Sequence, residues 1–344
     1  MGRLYIFTLC SVVLACSIFF LKKRSPTTVA SSEGPVVPKE WLITNPHPIT
    51  PAADIRPPDQ TFLTFPEWFL VFSPEEQADY FKDHTSTTFP FMAHTAQIWQ
   101  SYRIVDQQIS GNFPTNTGYH LMIWVIGVSA SAEYAIKAGY ETIIGRITDT
   151  GVPMTTEDEF NARFTKDYVS FIKDRPWYEF DFKSRLRTLW GETSFSGDHL
   201  FRKIERRYIL TSELLVKYVY GKLIGLGTEQ VYEAALPTTA VVLENDSVKY
   251  LSRYDRFAGE AMDLAREGHS FKEIAGNSSA ILLTVLVPSG TRLELETTTT
   301  VFTQVVASDA GMQRVALATP VPSLSLVLDK LRHDGVAVEH VFDF

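Results

Sequence analysis

The 344-residue chain has only two cysteines, Cys10 and Cys16, and both lie close to its N-terminus. The rest of the chain therefore has no thiol for a disulfide bond, a thiolate nucleophile or a cysteine-liganded metal site. A net charge of −8 gives no general reason to expect nucleic-acid binding. With 45% hydrophobic and 21% charged residues, the composition is that of a folded protein.

Several motifs of catalysis and cofactor binding are also missing. The chain has neither a P-loop nor a Gly-x-Gly-x-x-Gly sequence, so nucleotide binding is unsupported. Ser129 and Ser131 lie outside a Gly-x-Ser-x-Gly elbow, and Ser196 is followed by an adjacent Asp198 and His199 rather than by partners that the fold brings together. No Glu-x-x-His pair is present, so a di-metal site is not expected. We predict no metal and no cofactor, and whether the protein is an enzyme stays open.

A membrane anchor is predicted in residues 1–24. Leu4–Leu21 is 18 residues without a charge, and three basic residues follow it. About 20 apolar residues are needed to cross a bilayer. An uncleaved anchor is the main interpretation, and a cleaved signal peptide or lipoprotein processing at Cys16 are the alternatives. Basic residues on both sides of the segment determine its orientation poorly, and we expect the body on the exported (periplasmic) side.

Three segments follow the predicted anchor. Residues 25–60 contain eight prolines, which predicts an extended linker. Residues 61–236 are rich in aromatic side chains at helical spacing and predict a helical domain. Residues 237–344 predict an α+β domain with its own core.

The fold class predicted for the C-terminal domain is ferredoxin-like. Helices are expected at Val248–Glu267 and Pro322–His333, with short β-type runs before, between and after them. This gives the order βαββαβ, typical of a ferredoxin-like fold, if residues 300–318 form an inserted hairpin. The whole chain is therefore predicted to be α+β, with an anchor, a helical domain and a ferredoxin-like domain.

Helix signals in residues 61–236 are capping residues and apolar periodicity. The predicted helices begin at Thr64 and again at Ser73, and continue with Phe91–Ile109, Tyr119–Arg146, a capping box at Thr156 and a basic helix over residues 201–226.

The predicted helix Tyr119–Arg146 carries two rows of residues with different chemistry. Its small-residue stripe repeats every fourth position and predicts close packing against another helix. The stripe consists of Gly127, Ser131, Ala135 and Gly139.

The second row is charged and is the candidate polar site. Glu133, Lys137 and Glu141 are also four residues apart, which suits either a ligand-binding or proton-transfer site or a simple surface ladder of ion pairs. His120 belongs to the same candidate set, although it precedes Glu133 by 13 residues, nearly four turns. The apolar part, Leu121–Ala132, is short for a membrane crossing, and a second crossing is the alternative.

Residues 183–222 contain nine basic and four acidic residues, interleaved with aromatic side chains. Lysine and arginine attract anionic lipid headgroups, and tryptophan and tyrosine favour the interface. We therefore predict a membrane-docking surface, with a solvated face paired to acidic residues as the alternative. The predicted surface residues are Arg202, Lys203, Arg206 and Arg207.

The sequence supports two functions. The first is a membrane-anchored, non-enzymatic component that holds or assembles partners at a membrane surface, with the lipid bilayer and a protein of a membrane complex as partners. The second is a membrane-associated enzyme or lipid-handling protein that uses Glu133, Lys137 and Glu141. A deep apolar cavity beside these side chains would favour the second function, and a filled core would favour the first.

The predicted anchor can be tested by truncation. The full chain should stay in membranes after carbonate washing, because Leu4–Leu21 is long and apolar enough to span them. A truncated chain that starts near Ser25 should be released. Carbonate resistance of the truncated chain would reveal a second spanning segment and contradict attachment through a single anchor.

Overall fold

The computed structural model describes residues 36–57, 60–149, 151, 153–173, 175–228, 238–253 and 255–343. The predicted anchor Leu4–Leu21, the first part of the predicted linker and the domain boundary near residue 236 lie outside them. Within the described residues, the chain is helical up to residue 228 and then forms two antiparallel sheets with two helices. A mixed helical and sheet architecture is therefore confirmed.

The first part contains six helices among the described residues. They are α1 (Gln60–Tyr80), α2 (Phe91–Ile109), α3 (Thr117–Tyr140), α4 (Thr156–Ile172), α5 (Phe182–Glu192) and α6 (Leu200–Thr228). Helix α3 continues through a π-helical turn, Glu141–Gly145, into a short last segment, Arg146–Thr148. By length and composition, Thr117–Thr148 is the one described helix that could cross a membrane.

Helix α1 differs from its prediction. Helix starts were predicted at Thr64 and Ser73, but one helix runs through both, with Pro66 and Pro74 inside it. Proline removes a backbone hydrogen bond and normally breaks a helix. Burial of four phenylalanines offsets this cost, since α1 is the central element of an aromatic core. They are Phe62, Phe65, Phe69 and Phe72.

The other helices follow their local signals closely. Helix α2 has the predicted bounds. The capping box of α4 consists of Thr155 and Asp158, one residue before the predicted one. Helix α5 was not predicted, and it begins where the Asp181 carboxylate accepts a hydrogen bond from the backbone N–H of Ser184.

The second part has seven strands and two helices among the described residues. The strands are β1 (Thr238–Leu243), β2 (Val248–Ser252), β3 (Phe271–Ile274), β4 (Ala280–Pro288), β5 (Thr299–Val306), β6 (Asp309–Pro320) and β7 (Ala337–Val341). The helices are α7 (Asp255–Arg266) and α8 (Leu324–His333).

The ferredoxin-like topology is not confirmed. A ferredoxin-like fold places the strands of βαββαβ in one sheet, whereas these strands form two sheets with the orders β2-β1-β3 and β5-β6-β4-β7. Residues 248–252, predicted as helix, form β2 because Val248 and Tyr250 favour a strand and pair with β1. The predicted inserted hairpin is part of the main sheet, since β6 pairs with β4 along the whole length of β4.

The four-stranded sheet is buried on both faces. Alternate residues of β4 point to opposite sides, so Leu282 packs with the phenylalanines of α1 while Leu283 packs with α7 and α8. The ring centroids of Phe65 in α1 and Phe302 in β5 are 4.7 Å apart. The helical part and the sheet therefore share one core.

Part of the predicted linker is attached to this body. The buried Glu273 carboxylate accepts hydrogen bonds from the backbone N–H groups of Ile49 and Thr50. Gln108 Oε1 accepts from Val36 N and Val37 N at 2.7 and 3.1 Å. Residues 36–57 thus bridge both parts of the body instead of forming a free spacer, because buried polar groups in each part need these donors.

The small-residue stripe of α3 packs against α2 in its first half only. A Cβ atom on Gly127 would lie 2.7 Å from the ring of Trp99, and Ser131 Oγ accepts a hydrogen bond from Trp99 Nε1 at 2.8 Å. Ala135 is half-buried, and a Cβ atom on Gly139 would meet no neighbouring atom within 4 Å. Only the first two residues of the stripe therefore require a small side chain.

The two glycines of the stripe give a matched test of packing. Gly127→Ala should lower the free energy of unfolding by up to about 2 kcal/mol, because an overpacking cost of about 1–3 kcal/mol is only partly offset by the helix-propensity gain of about 1 kcal/mol. Gly139→Ala meets no neighbouring atom, so only the gain in helix propensity applies, and the free energy of unfolding should rise by up to about 1 kcal/mol. Urea unfolding of both variants measures this. Equal stabilisation by both substitutions would show that Trp99 is not held tightly.

Candidate functional site

A cavity of about 280 Å³ lies between α3 and α6. The two helices run antiparallel, since Glu133 of α3 contacts Lys217 while Glu141, further along, contacts Arg206. Helices α1, α2 and α4 also contribute lining residues. The cavity therefore lies directly beside the predicted charged row.

One wall of the cavity is apolar and largely aromatic. Its side chains come from α1 and the turn after it, and from α2, α4 and α6, so these helices and α3 enclose the space. The wall includes Phe69, Phe81, Phe91, Phe164, Tyr168 and Leu210. Most of these side chains are buried in the protein core as well, which makes the wall rigid.

The cavity is also lined by a four-charge cluster, Glu133, Lys137, Glu213 and Lys217. Lys137 Nζ is 2.9 Å from both Glu133 Oε1 and Glu213 Oε1. Lys217 Nζ is 2.9 Å from Glu213 Oε1 and 3.3 Å from Glu133 Oε1. Each charge thus has two partners of opposite sign, and the cluster is neutral as a whole.

Electrostatics keep this cluster ionised. Burial would raise the pKa of Glu213, but Lys137 and Lys217 outweigh it and lower the pKa to about 2. Burial would lower the pKa of Lys217, but Glu133 and Glu213 outweigh it and hold the pKa well above its ordinary value. The four charges therefore persist over the whole physiological pH range.

Glu141, the third member of the charged row, closes one end of the cavity. It receives two hydrogen bonds from Arg206, from Nη1 at 2.6 Å and from Nη2 at 2.9 Å. Ser86 and Thr87 donate to the same carboxylate. Glu141 lies at the start of the π-helical turn, a feature common at functional sites. These hydrogen bonds hold the Glu141 carboxylate in place at the cavity.

The predicted membrane-docking surface needs correction. Arg202, Arg206 and Arg207 are 1–2% exposed and point into the protein. Arg202 pairs with Asp158 and Glu205, and Arg207 pairs with Glu157 at 2.7 Å. Lys203, partly exposed, donates to the backbone carbonyl of Ser196. These arginines cannot contact headgroups in this conformation, because buried carboxylates need their charge.

His120 is not part of the site. It lies in the first turn of α3, where its Nδ1 is 2.9 Å from the hydroxyl of Tyr102 and 4.0 Å from Asp106. Nearly four helical turns separate it from Glu133, as its spacing in the sequence indicates. The structure thus brings together the three members of the charged row but leaves His120 outside.

A second polar network, not predicted from the sequence, lies behind the cavity wall. Tyr134, which lines the cavity, is 2.6 Å from Ser73 Oγ, and Ser73 Oγ is 2.8 Å from His94 Nε2. His94 Nδ1 is 3.6 Å from Glu76 Oε2. In the sequence, Ser73 and Pro74 are typical of a helix start, so Ser73 was interpreted as a capping residue and not as part of a buried network.

The order serine, histidine and glutamate matches that of a hydrolase triad, but the surroundings do not. Ser73 is 1% exposed and lies behind Tyr134 rather than at the cavity surface. Burial lowers the pKa of His94, so its imidazole is neutral. The network therefore holds the Tyr134 hydroxyl in place on the cavity wall.

The part of the chain that the structure describes contains no group of three or more histidine, cysteine or acidic side chains suited to a metal ion.

No protein-family model matches the chain, and neither a curated protein nor a solved structure matches it significantly. The cavity itself is therefore the feature from which a function can be inferred.

The four-charge cluster predicts a pH-dependent effect of Glu213→Gln. At neutral pH the variant should lose about 2 kcal/mol of unfolding free energy, less than the roughly 3–5 kcal/mol of a fully buried pair, because the Glu133 side chain is 37% exposed. The folded-state pKa of Glu213 is below its unfolded value. Its contribution is therefore complete above about pH 4.5 and lost as the pH falls towards 2.

Urea unfolding at about pH 7 and about pH 3 should show this difference between wild type and variant shrinking on acidification. Asp79→Asn is the control, because the Asp79–Lys82 pair is solvent-exposed and should have little effect at either pH. A difference for Glu213→Gln that does not change with pH would mean that the variant alters packing rather than charge.

Proposed function

We propose that the protein binds one single-chain amphipathic lipid in the cavity between α3 and α6. The observation that supports this proposal is that one cavity is lined both by aromatic side chains and by the four-charge cluster. An acyl or prenyl chain fits against the phenylalanines, and a polar headgroup fits against the four-charge cluster. Ligand cavities commonly combine an apolar lining with a few placed polar groups.

The size and shape of the cavity support a slender ligand. Its volume of about 280 Å³ is near the lower end of the range for small-molecule sites, roughly 300–1,000 Å³. A phospholipid with two chains needs more space, so we infer a ligand with a single chain. Val125, Tyr220 and Leu70 line the cavity and are also 37–52% exposed, so a chain can enter between them.

The ionic wall supports a headgroup that carries charge. Each lysine has two carboxylate partners, so a phosphate or carboxylate of the ligand can replace one of them without leaving either lysine unpaired. An ammonium group of a zwitterionic ligand can in turn pair with the displaced glutamate. The neutral total of the cluster favours a zwitterionic headgroup over a strongly anionic one.

The second candidate function is a non-enzymatic component that holds partners at a membrane surface. Large apolar side chains exposed on α3 and α6 favour this candidate, because such patches mark interaction sites. Both candidates are consistent with the predicted anchor Leu4–Leu21 and an exported body. They differ in the cavity, which holds a ligand only under the first proposal.

Lipid extraction followed by mass spectrometry of the purified full chain tests the leading proposal. We expect a stoichiometric single-chain lipid, and direct binding of a fluorescent lysophosphatidylethanolamine. Ala130→Phe fills the cavity from α3 and should weaken this binding about tenfold or more, equivalent to at least about 1.4 kcal/mol. Ile136→Phe is the control, because Ile136 lies on α3 outside the cavity and is 68% exposed.

Equal binding by wild type, Ala130→Phe and Ile136→Phe would place the probe elsewhere on the surface and contradict the proposal. Absence of any co-purified or added lipid would favour the partner-holding function. Thermal melts of both variants must resemble that of wild type for the comparison to count.

A further inference from the structure

The outward side of α3 is apolar along its full length. Only 22% of its most apolar 18-residue window is buried, so Thr117–Thr148 is not an ordinary core helix. Its exposed large hydrophobic side chains span seven turns. They include Leu121, Trp124, Val125, Ile136, Ile143 and Ile147.

Helix α6 presents a similar side next to it. Tyr140 of α3 contacts α6 directly: its hydroxyl donates a hydrogen bond to the backbone carbonyl of Glu205, and its ring stacks with that of Tyr208. The exposed side chains of α6 include Phe201, Tyr208, Leu215, Val216, Val219 and Leu223. We call the exposed sides of α3 and α6 together the apolar face.

The polarity of this helix pair is the reverse of that in most soluble proteins. Three arginines of α6 and the four-charge cluster point inward, while isoleucine, leucine and valine point outward. Ionisable groups of helices in contact with lipid face the protein interior in this manner. A solvated helix pair normally has its charged side chains outside.

The few charges on the apolar face are positive. Arg146 and Lys222 are exposed, whereas the acidic residues within 117–148 and 200–225 are all buried or only partly exposed. Glu133 is partly exposed at the cavity, where Lys137 and Lys217 pair with it. Basic residues at the edge of an apolar surface complement anionic headgroups. The positive charge is specific to this face, because the net charge of the whole chain is −8.

We propose that the apolar face docks on a lipid bilayer that contains anionic lipid, with α3 and α6 lying in the plane of the interface. Helices of this kind bury their apolar side at the boundary of headgroups and acyl chains. The cavity then opens towards the membrane, because Val125 and Tyr220 belong to both the cavity mouth and the apolar face. Docking does not require the cavity ligand.

Photo-crosslinking of the full chain separates this face from the predicted anchor. The protein is reconstituted in vesicles of phosphatidylcholine and phosphatidylglycerol that contain a phosphatidylcholine with a diazirine in its acyl chain. After irradiation, mass spectrometry locates the lipid adducts. We expect adducts on the apolar face, at positions such as Ile136 and Val216, and none at Leu326, an equally exposed residue of α8.

The double variant Ile136→Glu/Val216→Glu should lose the adducts on α3 and α6 while its thermal melt and circular dichroism stay unchanged, because both residues are more than 60% exposed. Leu326→Glu is the matched control and should keep them. Vesicles of phosphatidylcholine alone should give fewer adducts, because Arg146 and Lys222 then lack anionic partners.

Adducts restricted to the N-terminal segment, or an apolar face crosslinked to another protein chain instead of to lipid, would overturn the proposal. Adducts on Phe164 or Leu210 would show that the cavity admits a two-chain lipid. They would count against the single-chain ligand proposed for the cavity and leave bilayer docking intact.

Discussion

The antiparallel pairing of α3 with α6 through buried ionic contacts is the constraint on which the rest of the helical part depends. Glu133 and Lys137 on one helix meet Glu213 and Lys217 on the other, and Glu141 meets Arg206 one to two turns away. Removal of one partner from such a cluster leaves a charge in a poorly solvated place. The pairing thus fixes the register of the two helices beside the cavity that both of them line.

The two sides of the helix pair follow from this arrangement. Buried carboxylates around the N-terminal half of α6 are matched by its arginines, as in the contacts of Arg202 with Asp158 and of Arg207 with Glu157. Since these pairs use the inward positions of α6, the outward positions are left to apolar residues such as Val216 and Val219. The sheet contributes to this from the other direction, because it covers the phenylalanines of α1 and leaves α3 at the periphery.

Local patterns in the sequence predicted helices well and their surroundings poorly. The period of apolar residues indicated the bounds of α2, and the spacing of Glu133, Lys137 and Glu141 indicated a charged row without deciding whether it is a surface ladder or a site. Glu213 and Lys217 show the same four-residue spacing on α6, so the partner row was visible in the sequence. Nothing in one helix, however, specifies which other helix supplies its counter-charges, because that choice is made by tertiary packing.

The errors have the same physical origin. A cluster of arginines is more often exposed than buried, and only the matching acids of α4, distant in the sequence, reverse this for Arg202 and Arg207. Residues 248–252 favour a strand only weakly until β1 provides an edge. In both cases a long-range partner decides between two local possibilities. The apolar face is a third such case: its large side chains are exposed in the described part of the chain, and contiguous exposed apolar patches of this kind mark interaction sites.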